Sequence, residues 1–491
     1  MTRIIANGLP GSRLTLLDAL ICGYLALPLL VFCTWFKLPV AFGLGLLSCY
    51  GFAQSLRGVD LRRIDASKRV LAVIGVVALA WTALAGVGHF FYANLDWVIR
   101  DAVLRDLVAT PWPPMYEMDG PAAMILRAPI GFYLPVAAIG SIVGLHAADF
   151  LLYLWAAFGL ALVLWAAISL FTKPRERLLC GVVMLAFGGL DMIGYPLMFG
   201  RAPELGQHIQ WWASFAQYSS NATLMFWVPN HALPAWLGLL IVLRHWRTRE
   251  LASVTLLLAA SIPLWSPLSA FGLVPFFLIG LNWRRDLGAL LAVRSGLPFL
   301  ALAAVVARYV TMDTQAIARG WSIDMFTTAS IFWFVYSAFC LLEFGILALL
   351  LARLRAFDLK VGVSVSILLL LPFYHFGPGN DLVMRSSIPA LAVLALAAVR
   401  PLAASDRPVA RTLLALVLVV GAIGAAQEPE RALLTARWPL TGKTLLQAAA
   451  DQAPPGRAQP PSNYVGRLSQ PGLIALMRSP SLVLPSASNQ P

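Results

Sequence analysis

Long apolar runs alternate with short polar segments along most of this chain. A helix needs roughly 20 residues to cross the hydrocarbon core of a bilayer, and the runs are close to that length. They are rich in Leu and Ala and do not alternate polar with apolar residues, which favours membrane helices over a β-barrel. The pattern predicts an all-α, polytopic membrane bundle of about thirteen transmembrane helices. The predicted helices are 14–36, 38–55, 70–92, 149–171, 178–199, 226–243, 251–266, 268–282, 287–309, 326–352, 361–376, 387–403 and 409–426.

Basic residues between these runs indicate the side of the membrane on which each segment lies. Lys and Arg cluster in short connections, and such clusters usually face the cytoplasm. With a cytoplasmic N-terminus, thirteen helices put every cluster on that side. The outer side then receives a large first loop, 93–148, and a C-terminal tail, 427–491. The predicted domains are therefore a transmembrane domain, 1–426, and this tail, whose Pro, Ala, Ser and Gln content predicts a loosely ordered extension.

One apolar stretch, 129–145, does not fit this arrangement as a further transmembrane helix. Counting it would move the basic cluster at Lys173, and every later cluster, to the outer side, against the usual distribution of charge. We therefore expect an interfacial or re-entrant helix within the first large loop.

Composition supports a membrane location and limits the partners. Of 491 residues, 59% are hydrophobic and 12% are charged, about half the charged share of a soluble domain. The net charge of +13 would suit a nucleic-acid-binding protein. Most basic residues lie in connections between apolar runs, however, and form no patch with aromatic residues. We expect membrane lipids as partners and no nucleic acid.

The first large outer loop carries most of the charged residues that could perform chemistry. Its segment NLDWVIRDAVLRDLVATPWPPMYEMDG contains Asp96, Asp101 and Asp106, with Arg100 and Arg105 between them. Residues four apart share one face of a helix, which places Asp96 beside Arg100 and Asp101 beside Arg105. Such pairs occur on ordinary solvated helices. The functional alternative is a carboxylate at the lipid–water boundary that acts as a general base on a lipid-borne substrate.

This loop resembles the GT-C superfamily of polytopic glycosyltransferases, and especially its bacterial aminoarabinose and protein O-mannosyl transferase branch. Those enzymes have an acidic residue shortly after a membrane helix, then a helical stretch, a Trp/Pro segment and an interfacial helix. Here the acidic residue is Asp96, the stretch WVIRDAVLRDLVA follows it, and a Trp-Pro-Pro run occupies 112–114. The segment RAPIGFYLPVAAIG, at 127–140, takes the place of the interfacial helix. The resemblance covers mainly residues 70–177.

The resemblance implies a GT-C-like fold and an enzyme that transfers a sugar from a polyprenyl-phosphate-linked donor. The acceptor would be a glycolipid, polysaccharide or protein on the periplasmic side of the bacterial inner membrane. Asp96 would be the catalytic base, and Arg100 and Asp101 would contact the substrate. The family often has Asp-Glu or Asp-x-Asp at this point, whereas this chain has Asp96 followed by Trp97. We therefore predict no metal-binding residue and no definite cofactor, with a divalent metal as the alternative.

Two later segments supply further candidate substrate-binding residues. In FGPGNDLVMRSSIPAL, a Gly-Pro-Gly turn precedes Asn380, Asp381 and Arg385. The planar fork of an arginine suits a lipid-linked phosphate, although a local Asp381–Arg385 pair in a turn is the alternative. In QYSSNATLMFWVPNHALPAW, Asn230 and His231 lie between two prolines near the outer end of a predicted helix. Polar groups in such places are often functional, and a hydrogen-bonded histidine at a proline kink is the alternative.

Asp191 and Glu343 lie within apolar runs and support a different hypothesis. Acidic groups inside membrane helices occur in relays, so the chain could be a transporter or flippase for a lipid-linked or amphiphilic substrate. A transporter would more often place its polar residues near the middle of the membrane, and the acidic outer loop would stay unexplained. A scaffold without chemistry is expected if the candidate residues do not converge. The sequence favours a glycosyltransferase whose loop and turn residues meet in one outer cavity.

Overall fold

A computed structural model describes the fold of residues 13–117, 123–127, 129–292, 296–453, 461–468 and 470–485. These residues form mostly α-helices, together with strands of two or three residues. The first helices are α1 (Leu16–Phe32), α2 (Leu38–Ser55), α3 (Lys68–Leu84), α4 (Asp96–Ala109), α5 (Leu134–Val143), α6 (Leu145–Ser169), α7 (Pro174–Ala186), α8 (Asp191–Phe199) and α9 (Asn221–Trp227).

The second half of the chain continues the helical bundle. Its helices are α10 (Pro229–Arg244), α11 (Arg249–Trp265), α12 (Pro267–Gly280), α13 (Trp283–Leu290), α14 (Leu297–Val310), α15 (Ala329–Cys340), α16 (Ile346–Arg353), α17 (Leu359–Leu370), α18 (Asp381–Ser386), α19 (Ile388–Ala403), α20 (Pro408–Leu434), α21 (Leu445–Gln452) and α22 (Pro471–Leu476). A π-helical turn, Leu341–Gly345, joins α15 to α16. Many of these helices have a proline in their first turn, where the missing N–H costs nothing.

Seven helical segments among the described residues are long and apolar enough to cross a membrane. They are Leu16–Trp35, Leu38–Ser55, Leu145–Ser169, Pro174–Phe199, Ala329–Arg353, Asp381–Ala403 and Pro408–Leu434. Large apolar side chains on their surface point away from the bundle, including Leu38, Phe42 and Phe334. Extended apolar surfaces of this kind mark contact with lipid or with another apolar partner. The long apolar helices indicate a membrane-embedded protein.

The remaining six predicted transmembrane segments also coincide with helices, but these helices are shorter. They include α3 with 17 residues, α10 with 16 and α12 with 14. The predicted segment 287–309 contains residues 293–295, which lie outside the described part of the chain. The helical fold is therefore established, whereas the count of thirteen crossings and the GT-C likeness stay predictions.

The apolar stretch 129–145 forms the short helix α5 followed by a sharp turn into α6. α5 has 10 residues, which corresponds to about 15 Å and half of a bilayer core. Gly144 makes the turn with φ of 92°, a conformation that side chains rarely adopt. α5 packs against α1, α4 and α6. It is too short to span a membrane by itself, and its place at a membrane interface stays a prediction.

The C-terminal tail is folded onto the first large loop. Strands β1 (Pro114–Tyr116) and β2 (Met124–Leu126) of the loop pair with β5 (Val465–Arg467) and β6 (Ser481–Leu482) of the tail in the order β5-β2-β1-β6. A second sheet joins β3 (Arg319–Trp321) to β4 (Tyr374–Phe376). The described tail residues thus form strands instead of the predicted loosely ordered extension. These strands are held by backbone pairing with distant residues, and such pairing produces no apolar periodicity in the sequence.

Candidate functional site

A cavity of about 910 Å³ lies between α4, the start of α10, the start of α18 and the folded tail. Its wall contains charged and polar side chains from all four of these elements. Those that the following paragraphs use are Asp96, Arg100, His231, Asp381, Arg385 and Tyr464. Tryptophan and aliphatic side chains make up much of the remaining wall. A mixed lining of this kind suits a ligand that has both a polar and an apolar part.

The start of α4 and the residues before it are fixed to the last turn of α9. The side-chain amide of Asn94 and the indole N–H of Trp97 both donate to the carbonyl of Phe226, at 2.8 and 2.9 Å. The backbone N–H of Asp96 donates in turn to the side-chain oxygen of Asn94, at 3.0 Å. These bonds hold Asp96 at the edge of the cavity and connect the start of α4 to α9.

Arg100 connects the catalytic candidate of α4 to the first turn of α10. Its Nη2 lies 3.0 Å from Oδ2 of Asp96, and its Nη1 donates to Oδ1 of Asn230 at 3.0 Å. Arg100 is buried, whereas the side chain of Asp96 is 41% exposed. Burial lowers the pKa of Arg100, but Tyr464, Tyr133 and Asp96 together raise it above its usual value. The guanidinium therefore stays charged and orients the Asp96 carboxylate toward the open part of the cavity.

The turn before α18 brings a second acid–arginine pair to the same cavity. Asn380 begins α18 in the left-handed conformation, with φ of 58°, and its amide donates to the carbonyl of Phe215 at 3.1 Å. Nη2 of Arg385 lies 3.4 Å from Oδ1 of Asp381, one helical turn away. Gly377 permits this packing, because a Cβ at that position would lie 2.6 Å from the Asp381 carboxylate. The predicted local pair is present, and it faces the cavity.

His231 lines the cavity and has one unprotonated ring nitrogen. The hydroxyl of Ser266 donates to Ser269, which donates to the backbone carbonyl of His231, at 2.7 and 3.1 Å. Nδ1 of His231 lies 2.7 Å from the Ser266 hydroxyl oxygen, whose proton is already used, so Nδ1 is the donor. Nε2 then carries the lone pair, and the side-chain hydrogen bond observed for His231 among the described residues is the one made by Nδ1. Nε2 can accept a hydrogen bond from a ligand hydroxyl.

Two cavity residues, Arg127 and Tyr464, were not singled out from the sequence. The guanidinium of Arg127 donates to the backbone carbonyls of Val310 and Ser462, and its backbone N–H donates to that of Tyr464 at 2.7 Å. Burial lowers the pKa of Arg127 and raises the pKa of Tyr464. The charges of both acid–arginine pairs act on the pKa of Tyr464, so its phenol lies close to both pairs. Arg127 follows β2 and Tyr464 precedes β5, and these strands are far apart in the sequence and pair only in the folded chain. No local sequence motif therefore indicates either residue.

The three aspartates of α4 have different surroundings. Asp96 opens to the cavity, whereas Asp101 lies against His89 and Asp106 lies against the tail. Asp106 accepts hydrogen bonds from the Leu445 backbone N–H and the Tyr116 hydroxyl, at 2.9 and 3.0 Å. Burial raises the pKa of Asp106 from its ordinary value to about 6, against the opposing effect of these bonds. The surroundings distinguish one available carboxylate from two packed ones.

The structure therefore brings together most, but not all, of the predicted site residues. Asp96, Arg100, His231, Asp381 and Arg385 line the cavity. The other three, Asn230, Asn380 and Asp101, support it or lie elsewhere. Within the described ranges, no set of three metal-type ligands faces the cavity.

Asp191 and Glu343 meet inside the helical bundle and away from this cavity. The indole N–H of Trp212 donates to Oε1 of Glu343 at 2.8 Å, while both carboxylate oxygens of Asp191 lack a hydrogen-bond partner within the described part of the chain. Neither acid lines the cavity.

Comparison with known protein families, with curated proteins and with solved structures finds no match for this chain. Arguments about function therefore rest on the geometry described above.

Proposed function

We propose that this protein is a membrane glycosyltransferase of GT-C type. It moves a sugar from a polyprenyl-phosphate-linked donor to a glycolipid, polysaccharide or protein acceptor on the periplasmic side of a bacterial inner membrane. The observation that carries the proposal is the half-exposed Asp96 carboxylate at the edge of a large cavity that also contains the buried Arg100 and Arg385. A base and phosphate-binding cations are the two parts that this transfer needs.

Asp96 is the proposed general base for the acceptor hydroxyl. Its Oδ2 is held by Arg100, and its exposed surface leaves room for an incoming hydroxyl. A positioned base typically contributes about 10²–10⁴ in rate. The acceptor proton moves to Asp96 while the acceptor oxygen forms a bond to the anomeric carbon. The bond between that carbon and the phosphate oxygen breaks, and its electron pair leaves with polyprenyl phosphate. One displacement of this kind inverts the anomeric centre.

The arginines supply the charge that the leaving phosphate needs. Arg100, Arg127 and Arg385 contribute three positive charges to the cavity, against two negative charges from Asp96 and Asp381. The difference is one positive charge, which matches the single charge of a phosphodiester donor. When the sugar leaves, the phosphate gains negative charge, and fixed guanidinium groups stabilise it without reorganisation. This favours the transition state over the bound donor.

The remaining wall fits the sugar and the first part of a lipid chain. Trp211 and Trp227 offer flat aromatic surfaces, and Val228 and Leu268 offer aliphatic ones. Pockets for such ligands combine a mostly apolar wall with a few placed polar groups. The unprotonated Nε2 of His231 accepts a hydrogen bond from a sugar hydroxyl in this proposal, which fixes the orientation of the anomeric carbon.

The test is a transfer assay on the purified chain in liposomes, with a panel of polyprenyl-phosphate hexoses and pentoses as donors. We expect release of polyprenyl phosphate with at least one donor, and loss of that release in Asp96→Ala. Glu204→Gln is the matched control, because the Glu204 side chain is 80% exposed and lies outside the cavity wall. Equal release by wild type and Asp96→Ala would remove Asp96 from the mechanism, and no release with any donor would contradict the proposed activity.

A transporter or flippase remains the second candidate because of the buried Asp191–Glu343 pair. Both acids are buried and have carboxylate oxygens without a hydrogen bond among the described residues, and acidic groups inside a membrane bundle occur in proton relays. The double variant Asp191→Asn/Glu343→Gln distinguishes the two functions. A glycosyltransferase of the proposed kind keeps its transfer rate in this variant, whereas a proton-coupled transporter loses uptake of a labelled lipid-linked substrate into vesicles.

A further inference from the structure

Three ligand-type side chains meet on the packed side of α4, outside the cavity. His89 comes from the connection after α3, Asp101 from α4 and Asp149 from the second turn of α6. One ring nitrogen and one oxygen from each carboxylate all lie within 4.8 Å of one another. All three residues are more than nine-tenths buried, and none of them lines the cavity. The buried His–Asp–Asp cluster is therefore a separate feature of the molecule.

The facing atoms of this cluster lack hydrogen bonds. Nε2 of His89 lies 3.0 Å from Oδ2 of Asp101, yet neither atom makes an aligned hydrogen bond. Oδ1 of Asp149 also has no partner among the described residues. Buried polar atoms in folded proteins nearly always have a hydrogen-bond partner, and an unpaired one is unfavourable. Each of the three clustered residues therefore has a buried polar atom that is available to coordinate a cation.

The hydrogen bond of the other His89 nitrogen shows which ring atom is available to a ligand. Nδ1 of His89 lies 3.2 Å from the backbone carbonyl of Trp438, which can only accept, so Nδ1 carries a proton. Nε2 is therefore the ring nitrogen that lies beside the carboxylate of Asp101, and it can bind a metal ion in place of a proton. Histidine ligands of metals typically donate their other ring N–H to a carbonyl or carboxylate in this way. Two ligand atoms that each lie about 2.1 Å from a zinc ion are about 3.0–3.4 Å apart. The distance of 3.0 Å between Nε2 of His89 and Oδ2 of Asp101 agrees with this range.

We propose that the buried His–Asp–Asp cluster binds one divalent zinc ion. One neutral imidazole and two carboxylates balance the ion's two positive charges. A mixed nitrogen and oxygen set suits zinc, whereas calcium and magnesium prefer six or more oxygen ligands. Bound zinc would join the connection after α3, α4 and α6, with Trp438 after α20 holding the histidine. The three residues lie outside the cavity, so this proposal stands whether or not the proposed transferase activity is correct.

The experiment measures zinc on the full-length protein purified in detergent. The protein is treated with a chelator, dialysed against zinc sulfate and then against metal-free buffer, and its metal content is measured by mass spectrometry. We expect one zinc ion per chain in wild type and in His375→Gln, since His375 lies in β4 and away from the cluster. We expect loss of zinc in His89→Ala and in Asp149→Asn. Zinc in wild type no higher than in His89→Ala would overturn the proposal.

A second measurement remains informative if these variants fold poorly. The His89→Cys variant keeps a metal ligand at the same place, and Co²⁺ replaces zinc as a spectroscopic probe. We expect a thiolate-to-cobalt charge-transfer band in His89→Cys that is absent from wild type and from His375→Cys. Absence of this band from folded His89→Cys that has been loaded with Co²⁺ would contradict metal binding by the cluster.

Discussion

The two sides of α4 carry the same residue type in opposite surroundings. On the cavity side, Asp96 is 41% exposed and pairs with Arg100. On the packed side, Asp101 and Asp106 are almost completely buried, and Asp106 bonds the tail. A helix places all three aspartates within four turns, but only the tertiary partners decide which carboxylate meets a substrate. The comparison therefore separates a proposed chemical role from structural ones on a single helix.

The sharpest way to test the packed side is to remove the acceptor that holds the tail. Asp106→Ala leaves the Leu445 N–H and the Tyr116 hydroxyl unpaired and removes the carboxylate partner of Arg105. We expect a loss of about 3–5 kcal/mol in the free energy of unfolding, measured by denaturant titration. Asp451→Ala, whose side chain is 50% exposed, should change it by less than about 0.5 kcal/mol. Equal stability of the two variants would contradict a structural role for Asp106.

The pH dependence of stability tests the same residue without removing it. Burial raises the pKa of Asp106 to about 6 from an ordinary value of 3.8, so the folded state binds its proton more tightly than the unfolded state. The contribution of Asp106 to stability is therefore most favourable below about pH 4 and is lost as the pH rises through 6. Its upper bound is about 3 kcal/mol. The difference in unfolding midpoint between wild type and Asp106→Asn should change between pH 4.5 and pH 7.5, and a constant difference would contradict the raised pKa.

The cavity side makes a prediction about rate at nearly constant stability. Arg385→Lys keeps the positive charge beside Asp381 but loses the planar fork. We expect the transfer rate to fall about tenfold, with less than about 1 kcal/mol change in unfolding free energy. Arg437→Lys, an exposed arginine outside the cavity, is the control. A large fall in stability without a fall in rate per folded molecule would place Arg385 on the structural side of the comparison.

The smallest predicted effect concerns the tail residue that reaches the cavity. Tyr464→Phe removes a phenol hydroxyl that lies among the two acid–arginine pairs, while the ring and the backbone pairing with Arg127 remain. We expect a fall of about threefold in transfer rate, equivalent to about 0.7 kcal/mol. Tyr50→Phe, on the exposed surface of α2, should have no effect. An unchanged rate in Tyr464→Phe would limit the tail to a purely structural role.

Local periodicity predicted the parts of this molecule that depend on neighbouring residues. The apolar runs predicted its helices, and the four-residue spacing predicted the Asp96–Arg100 pair. The same spacing placed Asp101 beside Arg105, but Arg105 bonds Asp106 and the tail, and Asp101 meets His89. Those partners come from distant parts of the chain, which a spacing rule does not describe.

Long-range backbone pairing explains what the sequence did not reveal. The tail shows no apolar periodicity, yet β5 pairs with β2 and carries Tyr464 to the cavity. Arg127 lies next to β2 and donates hydrogen bonds to main-chain carbonyls of the same tail segment. Every residue has such a carbonyl, so the sequence does not indicate these contacts. The charged turn at Asp381 and the Pro-flanked His231 were recognisable, because polar residues at the ends of apolar runs stand out.

The central claim is that Asp96 acts in chemistry while Asp106 acts in structure. The most direct test measures polyprenyl phosphate release and the unfolding midpoint for Asp96→Asn and Asp106→Asn in the same preparation. We predict that Asp96→Asn loses at least about a hundredfold in rate and keeps the wild-type midpoint, while Asp106→Asn lowers the midpoint and keeps most of its rate per folded molecule. A near wild-type rate in folded Asp96→Asn would contradict the account.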